Sequence, residues 1–313
     1  MSRPASMSLI RGLPQRPPAP CALTIGTFDG LHLGHQALIG RVRERAASLG
    51  LPAGLLSFEP MPREFMHPEQ PPARLTSFRE RWHLLAATGL ARVHLLTFND
   101  RLRALSAEQF MRLLQALGAR VVVVGHDFRF ARDGEATAQW CAKEAFRYGF
   151  EVEIVAPVCV NGERVSSGLV RTALQAGDLP RAAQLLGRPY SMRARVQRGA
   201  QLGRTLGFPT ANLAIHRRRS PLDGIFAVRV TVPSDSRAWP GVASLGTRPT
   251  VNGAEPLLEA HLFDFGGDLY GAELEVEFVA RLREERRFDA LDPMVAQMHR
   301  DAAEARAILA LLG

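Results

Sequence analysis

At 313 residues the chain is longer than one compact core usually holds, and its 46% hydrophobic and 22% charged composition is globular throughout, so two domains are expected. No apolar run approaches the roughly 20 residues that cross a bilayer, and the opening MSRPASMSLIRGLPQRPPAP lacks the apolar core of a secretory signal, which predicts a cytoplasmic protein without a membrane partner. The formal charge of +8 is carried almost wholly by arginine, because Lys143 is the only lysine; a GxxxxGK[ST] phosphate loop is excluded, and phosphate chemistry must rest on arginine, histidine, backbone amides and metal.

After the Pro-rich start, the first half alternates β-rich apolar runs with helical patterns. The runs are CALTIG, AGLLSF, RVHLLTF, RVVVVG and FEVEIVA, with HQALIGRVRERAASLG and SAEQFMRLLQALG among the segments between them. Such alternation predicts βαβ units, and continuous apolar strands predict a sheet covered by helices on both faces. Residues 1–186 are therefore read as a doubly wound α/β domain with a parallel sheet, ending in a pair of short helices near Gly187. From 187 to 313 the pattern changes to SMRARVQRG, GIFAVRVTV, GVASLG, PLLEAHLFDF and AELEVEFVARL, broken by Gly and Pro without intervening helices. That predicts a small antiparallel β-barrel, with the tail from Pro293 onward forming a helix packed against it. Cys21, Cys141 and Cys159 make no CxxC pair and are read as small core residues rather than a zinc site or disulfide.

The first candidate site follows the first of those runs, in GTFDGLHLGH, residues 26 to 35. His32 and His35 are three apart and share one face of the first turn of the next helix, while Gly34 lets a phosphate chain approach the backbone. The helix N-terminus adds about half a positive charge, so two imidazoles there can donate to an α-phosphate as negative charge grows. In the second half, GRTLGFPTANL places Thr210 and Asn212 two apart in a stretch that Pro209 makes extended, with both side chains on one side. A hydroxyl and an amide oxygen suit Mg²⁺, which takes few protein ligands; a turn held by local hydrogen bonds is the other possibility. Alternation puts Leu257, Glu259, His261 and Phe263 on one face, where Glu259 could serve as a base beside the metal or pair with an arginine.

These motifs resemble the bacterial bifunctional riboflavin kinases and FAD synthetases over nearly the whole chain. GTFDGLHLGH, FEPMPREF (Phe58 to Phe65), VVGHDFRF (Val123 to Phe130) and SSGLVR (Ser166 to Arg171) look like the ordered motif series of the nucleotidyltransferase half. PTAN, GIFAV, GVASLGTRPTV, LEAHLFDF and DLYG look like those of the kinase half. The resemblance implies an FMN adenylyltransferase in 1–186 and a riboflavin kinase in 187–313, with riboflavin, FMN and ATP as substrates and Mg²⁺ as the metal. Carried over, His32 and His35 are catalytic in adenylylation, and Gly26, Phe28, Asp29, Gly34, Arg164, Ser167 and Arg171 serve the nucleotide phosphates. Phe58, Pro60, Asp127 and Phe128 face the flavin. In the kinase half Gly207 and Thr210 serve ATP, Thr210 and Asn212 the metal, and Glu259 acts as base.

Three positions depart from the pattern: Gly168 where Thr is usual, Ala131 where Gly follows DFRF, and Ser244 where Asn is common. The first predicts weakened adenylylation, because a hydroxyl that could bond a phosphate is missing. A kinase whose first domain only binds nucleotide, or a nucleic-acid-binding protein reusing the α/β domain, are the alternatives. The arginines are spread along the chain, which favours a solvated surface and no nucleic-acid partner.

Overall fold

The computed structural model describes residues 7–14, 16, 18–198, 207–233, 235, 237–250 and 253–312. The chain divides into two compact units, Met1–Pro72 with Arg81–Ser166, and Ala73–Glu80 with Ser167–Gly313.

In the first unit β1 (Ser8–Arg11) and β2 (Cys21–Ile25) precede α1 (Leu33–Ser48), and β3 (Ala53–Glu59) leads to α2 (Pro62–Met66) and α3 (Phe78–Ala86), which belongs to this unit from Arg81 on. Next come β4 (Arg92–Thr97), α4 (Asp100–Arg103), α5 (Ala107–Ala116) and β5 (Ala119–Gly125). They are followed by the hairpin β6 (Arg129–Phe130) and β7 (Ala136–Thr137), α6 (Ala138–Glu144), β8 (Glu151–Val155), and the hairpin β9 (Cys159–Val160) and β10 (Glu163–Arg164). Six strands form one parallel sheet in the order β1-β4-β3-β2-β5-β8. Its faces are both covered: Leu23, Leu56, Val122 and Val124 pack with Phe110 and Leu114 of α5, while Ala22, Leu55, Val121 and Val123 pack with Ile39 and Val42 of α1. The doubly wound expectation holds, and the continuous apolar runs are explained by this two-sided burial.

Two details differ from the expectation. Ser8–Arg11, inside the stretch read as a Pro-rich start, is an edge strand paired in register with Arg92–Leu95. Four residues bounded by prolines are too short for a periodic signal. Cys21 and Cys141 are buried, but Cys159 is exposed on β9 and is not a core residue. The strand order places β3 on one side of β2 and β5 on the other, so the carboxyl ends of β2 and β5 flank a topological switch point, where open α/β sheets bind ligands.

The second unit opens with α7 (Ser167–Gln175) and α8 (Leu179–Leu186), the latter capped by Asp178 and ended by Gly187 at φ 70°. The barrel strands follow: β11 (Ser191–Gln197), β12 (Ala211–Ala214), β13 (Gly224–Thr231), β14 (Ala238–Thr250), β15 (Gly253–Leu262) and β16 (Glu273–Arg283). They close as β11-β12-β15-β14-β13-β16 with every neighbour antiparallel. β12 was expected only as an extended ligand segment; four residues of PTANLA are in fact a full member of the wall. Gly203–Leu206 of the GRTLGFPTANL motif, Gly199 of a predicted strand and Val251 of the GVASLGTRPTV motif lie outside the described residues. The terminal helix α9 (Leu291–Leu311) sets Ala305 and Leu309 against Ala227 and Phe263.

The segment Ala73–Glu80 joins this unit through charge. Arg217 is buried with no exposed side-chain surface, and its Nη2 donates to Glu80 Oε2 at 2.5 Å. Glu80 Oε1 accepts from the Arg193 backbone at 2.7 Å, Arg217 Nη1 donates to the Tyr190 hydroxyl at 2.8 Å, and that hydroxyl donates to the Leu75 carbonyl at 2.8 Å. Burial alone would pull the Arg217 pKa down, but Glu80 and Tyr190 more than offset it, so the guanidinium stays charged.

Removing one partner of a buried pair leaves an uncompensated charge at a cost of about 3 to 5 kcal/mol. A Gly187–Gly313 fragment lacks Glu80 and should therefore unfold at markedly lower denaturant than the same unit in the full chain. Arg217→Met in the fragment should regain part of the loss; a fragment as stable as the full chain would remove this role from the pair. A second prediction concerns His94 on β4, fully buried, with neither ring nitrogen hydrogen-bonded. Burial first, and Arg92 second, lower its pKa to about 4. An unfolded histidine takes a proton near pH 6.5, so between 6.5 and 4 unfolding binds a proton and stability falls as the pH drops. Urea unfolding at pH 5 should show about 2 kcal/mol less stability from this group than at pH 7.5, a difference that His94→Leu should abolish.

Candidate functional site

In the first unit the segment after β2 turns sharply. Phe28, Gly30 and Leu31 have φ of 52°, 79° and 46°, and two of the three are not glycine. Backbone held in this region costs energy and clusters at ligand sites. Phe28 and Asp29 are buried, and a Cβ at Gly26 would meet the Phe28 ring at 3.2 Å. His32 then caps α1, its Nδ1 accepting from the His35 amide at 3.3 Å. An accepting Nδ1 leaves the proton of the neutral ring on Nε2. The His35 ring stacks on His32 with centroids 3.6 Å apart and an 18° tilt, and lies 4.9 Å from Phe28. The two imidazoles are thus brought together, with His32 at the cap rather than inside the helix. Gly34 serves this arrangement directly, because a Cβ there would sit 3.2 Å from the His32 ring.

Burial above all, then His32 and Arg81, hold the His35 pKa well below its ordinary value, so the ring is neutral at physiological pH. Its Nδ1 is buried without a hydrogen-bond partner in the structure. Arg81 is itself 1% exposed and bonds Glu59 at 2.9 Å, a fixed cation that the sequence reading did not single out.

The other elements reach the same end of the sheet. Phe58, next to last in β3, is a buried ring 6.0 Å from Phe98, and half-buried Pro60 follows the strand. After β5 the Phe128 amide bonds the Gly125 carbonyl at 3.0 Å, which turns Asp127 outward and stacks Phe128 on Phe130 at 5.3 Å. Asp127 meets Arg164 at 2.8 Å, joining a residue expected at the flavin to one expected at the phosphates. Both are about half exposed, so the pair is worth little and is readily exchanged for an anion. Ala131, the Gly-to-Ala departure, has φ 67° and ψ −172°, a region essentially reserved for glycine.

Ser167 and Arg171 lie in the second unit. α7 begins at Ser167 itself, so Ser166 occupies the cap position. Arg171 Nε donates to the Ala73 carbonyl at 2.6 Å. Gly168 is exposed in the first helical turn, where its carbonyl accepts from the Thr172 hydroxyl at 3.3 Å.

In the barrel, strand register aligns Asn212 of β12 with Glu259 of β15 and Glu259 with Ser244 of β14. Directly opposed residues share a face. Because Ala211, Leu213, Leu258 and Ala260 are buried between them, the row lies on the outer face of the wall. Ser244 donates to Glu285 at 3.1 Å. Thr210, two residues before Asn212, lines a cleft of about 550 Å³ whose other walls include Pro209, Phe265 and Tyr270, with Gly207 at φ 80° in the preceding turn. Glu259, expected to face a pocket beside the metal, stands in this row between Asn212 and Ser244. The Phe265–Tyr270 wall carried only a motif resemblance in the sequence, although a Gly-Gly pair followed by DLYG marks a loop there.

Comparison with known proteins matches both halves. A family model described as FAD synthetase covers residues 15–169, and one described as Riboflavin kinase covers residues 186–309. The "Bifunctional riboflavin kinase/FMN adenylyltransferase" of Pseudomonas fluorescens is 46% identical over 97% of this chain and 98% of its own length. The protein of the same description from Escherichia coli (strain K12) is 41% identical over 97% and 99%. A solved structure titled as a macrolide-efflux protein from Streptococcus pneumoniae is 31% identical, with a TM-score of 0.78, over 94% of this chain and 97% of that one.

Strain at Ala131 predicts that Ala131→Gly stabilises the first unit by about 1 kcal/mol, the relief exceeding the added freedom of the unfolded chain. Denaturant midpoints measure this, and a lower midpoint for the glycine variant would show that the φ value stores no strain.

Proposed function

The chain belongs to the family of bifunctional riboflavin kinases/FMN adenylyltransferases, and from that premise we propose how its residues divide the two reactions. It phosphorylates riboflavin to FMN and adenylylates FMN to FAD, using ATP in both steps. The functional boundary is placed at Gly187, with adenylylation in 1–186 and kinase chemistry in 187–313, both in the cytoplasm.

In adenylylation a phosphate oxygen of FMN bonds to the α-phosphorus of ATP, and the bond to the β-phosphate breaks to release pyrophosphate. The observation that supports the site best is the stacked His32–His35 pair at the α1 N-terminus, beside the switch point of the sheet. Ring N–H groups donate to growing charge without a proton changing hands, and the helix terminus adds to the field. Gly26, Phe28, Asp29 and Gly34 shape the turn that receives the phosphates. Arg164 exchanges Asp127 for the triphosphate, which frees the carboxylate to face the flavin with Phe58, Pro60 and Phe128. Ser167 and Arg171 are assigned to the triphosphate on their motif alone.

In phosphorylation Glu259 accepts the proton of a ribityl hydroxyl while that oxygen takes the γ-phosphoryl group and ADP leaves. Thr210 and Gly207 serve ATP at the cleft mouth, and Thr210 with Asn212 would hold Mg²⁺. A hydroxyl and an amide oxygen are hard donors, and the described residues contain no group of three His, Cys, Asp or Glu that could hold a metal alone. That donor set fits an ion bound largely through nucleotide phosphates, whose negative charge it would neutralise.

The test is a time course with riboflavin and Mg·ATP in which FMN and FAD are separated. His35→Ala should slow FAD formation by about 100- to 1000-fold, the scale of one lost oxyanion donor, and leave FMN formation intact. Glu259→Gln should slow FMN formation about 100-fold while supplied FMN is still adenylylated. Equal loss of both activities in either variant would assign that residue to structure instead.

A further inference from the structure

His261 stands on β15 two residues after Glu259, on the same outer face. Its Nδ1 lies 2.9 Å from the carbonyl oxygen of Pro209. A carbonyl only accepts, so this contact places the ring proton on Nδ1. The residue before Pro209 is held as well: Phe208 is 6% exposed, edge-on to His261 at 5.3 Å and to His299 of α9 at 4.8 Å. On the near side the chain arrives through Gly207 at φ 80°, a permissive joint. On the far side it continues at once into Thr210 at the cleft and Asn212 opposite Glu259. Phe208–Pro209 is therefore the fixed point between a left-handed glycine and the two residues assigned to the nucleotide and its metal.

We propose that His261 is a positioning residue of the kinase reaction, which holds the Pro209 carbonyl and so sets Thr210 in place for the phosphates of ATP before ATP arrives. The proposal rests on the assignment of Thr210 above. A corner already ordered in the free protein need not be ordered on binding, so its loss appears as weaker ATP binding and not as slower chemistry. This separates His261 from its face-mate Glu259, whose loss slows the chemical step.

The experiment uses the full chain, with riboflavin kinase rates measured against Mg·ATP and against riboflavin. His261→Leu should raise KM for ATP about three- to tenfold, the scale of one lost hydrogen bond, with kcat and KM for riboflavin little changed. His261→Asn should recover most of the loss, because its amide N–H can stand where the Nδ1–H does. In a Thr210→Ala background His261→Leu should add nothing, since both act at one point. Unchanged KM for ATP in His261→Leu, a loss confined to kcat, no recovery by Asn, or additive effects with Thr210→Ala would each overturn the proposal. Wild-type KM for ATP in Thr210→Ala alone would instead remove the assignment of Thr210. A measurement on the unmutated protein needs no variant to fold: nitrogen-15 NMR should find His261 protonated on Nδ1, and a ring protonated on Nε2 alone would overturn the proposal directly.

Discussion

The second unit depends on one buried charge pair. Glu80 and Arg217 are 7% and 0% exposed in their side chains, and between them they accept from or donate to Arg193, Ser77 and Tyr190. Such a pair need not be more stabilising than apolar residues of the same volume; its effect is that no other segment can fill the place without leaving a naked charge. It ties Ala73–Glu80, the start of the barrel and the chain just after β12 into one arrangement. The strand that presents Asn212 is thus held at its far end by Arg217 and at its near end by the Pro209 corner.

A chain with a single lysine meets two phosphate chemistries by different means. Near α1 the proposed donors are two imidazoles, a helix terminus and strained backbone; burial above all, with His32 and Arg81 adding to it, keeps His35 unprotonated. On the barrel the proposed set is the Thr210 hydroxyl just before β12, the Asn212 amide on β12 and the Glu259 carboxylate opposite it on β15, donors suited to a metal carried in with its nucleotide. In the proposed division the first set supplies fixed potential; the second supplies ligands and a base. Neither requires a mobile ammonium group.

Much of this was legible in the sequence because burial on two faces writes itself as continuous apolar strands, and because GTFDGLHLGH and PTAN each cluster chemistry within a few residues. β1 and β12 were not legible as strands, since four residues carry too little period to separate a strand from a loop. The Ala73–Glu80 segment was invisible for another reason: Glu80 finds Arg217 137 residues away, and neither local pattern announces a partner. The Ala131 departure could be seen, but only its φ of 67° explains why glycine is usual there. Cys159 shows that cysteine content alone does not decide burial.

The path of the chain also has a consequence for synthesis. The backbone leaves the first unit after Pro72, contributes eight residues to the second, and returns at Arg81. Emerging from a ribosome, the first unit can close its sheet once β8 has appeared, yet Glu80, the peptide neighbour of a residue already built into that unit, must then wait for the barrel. The second unit is therefore completed onto a tether set down early, and vectorial synthesis gives the two halves a fixed order of birth in which the adenylyltransferase half is assembled first.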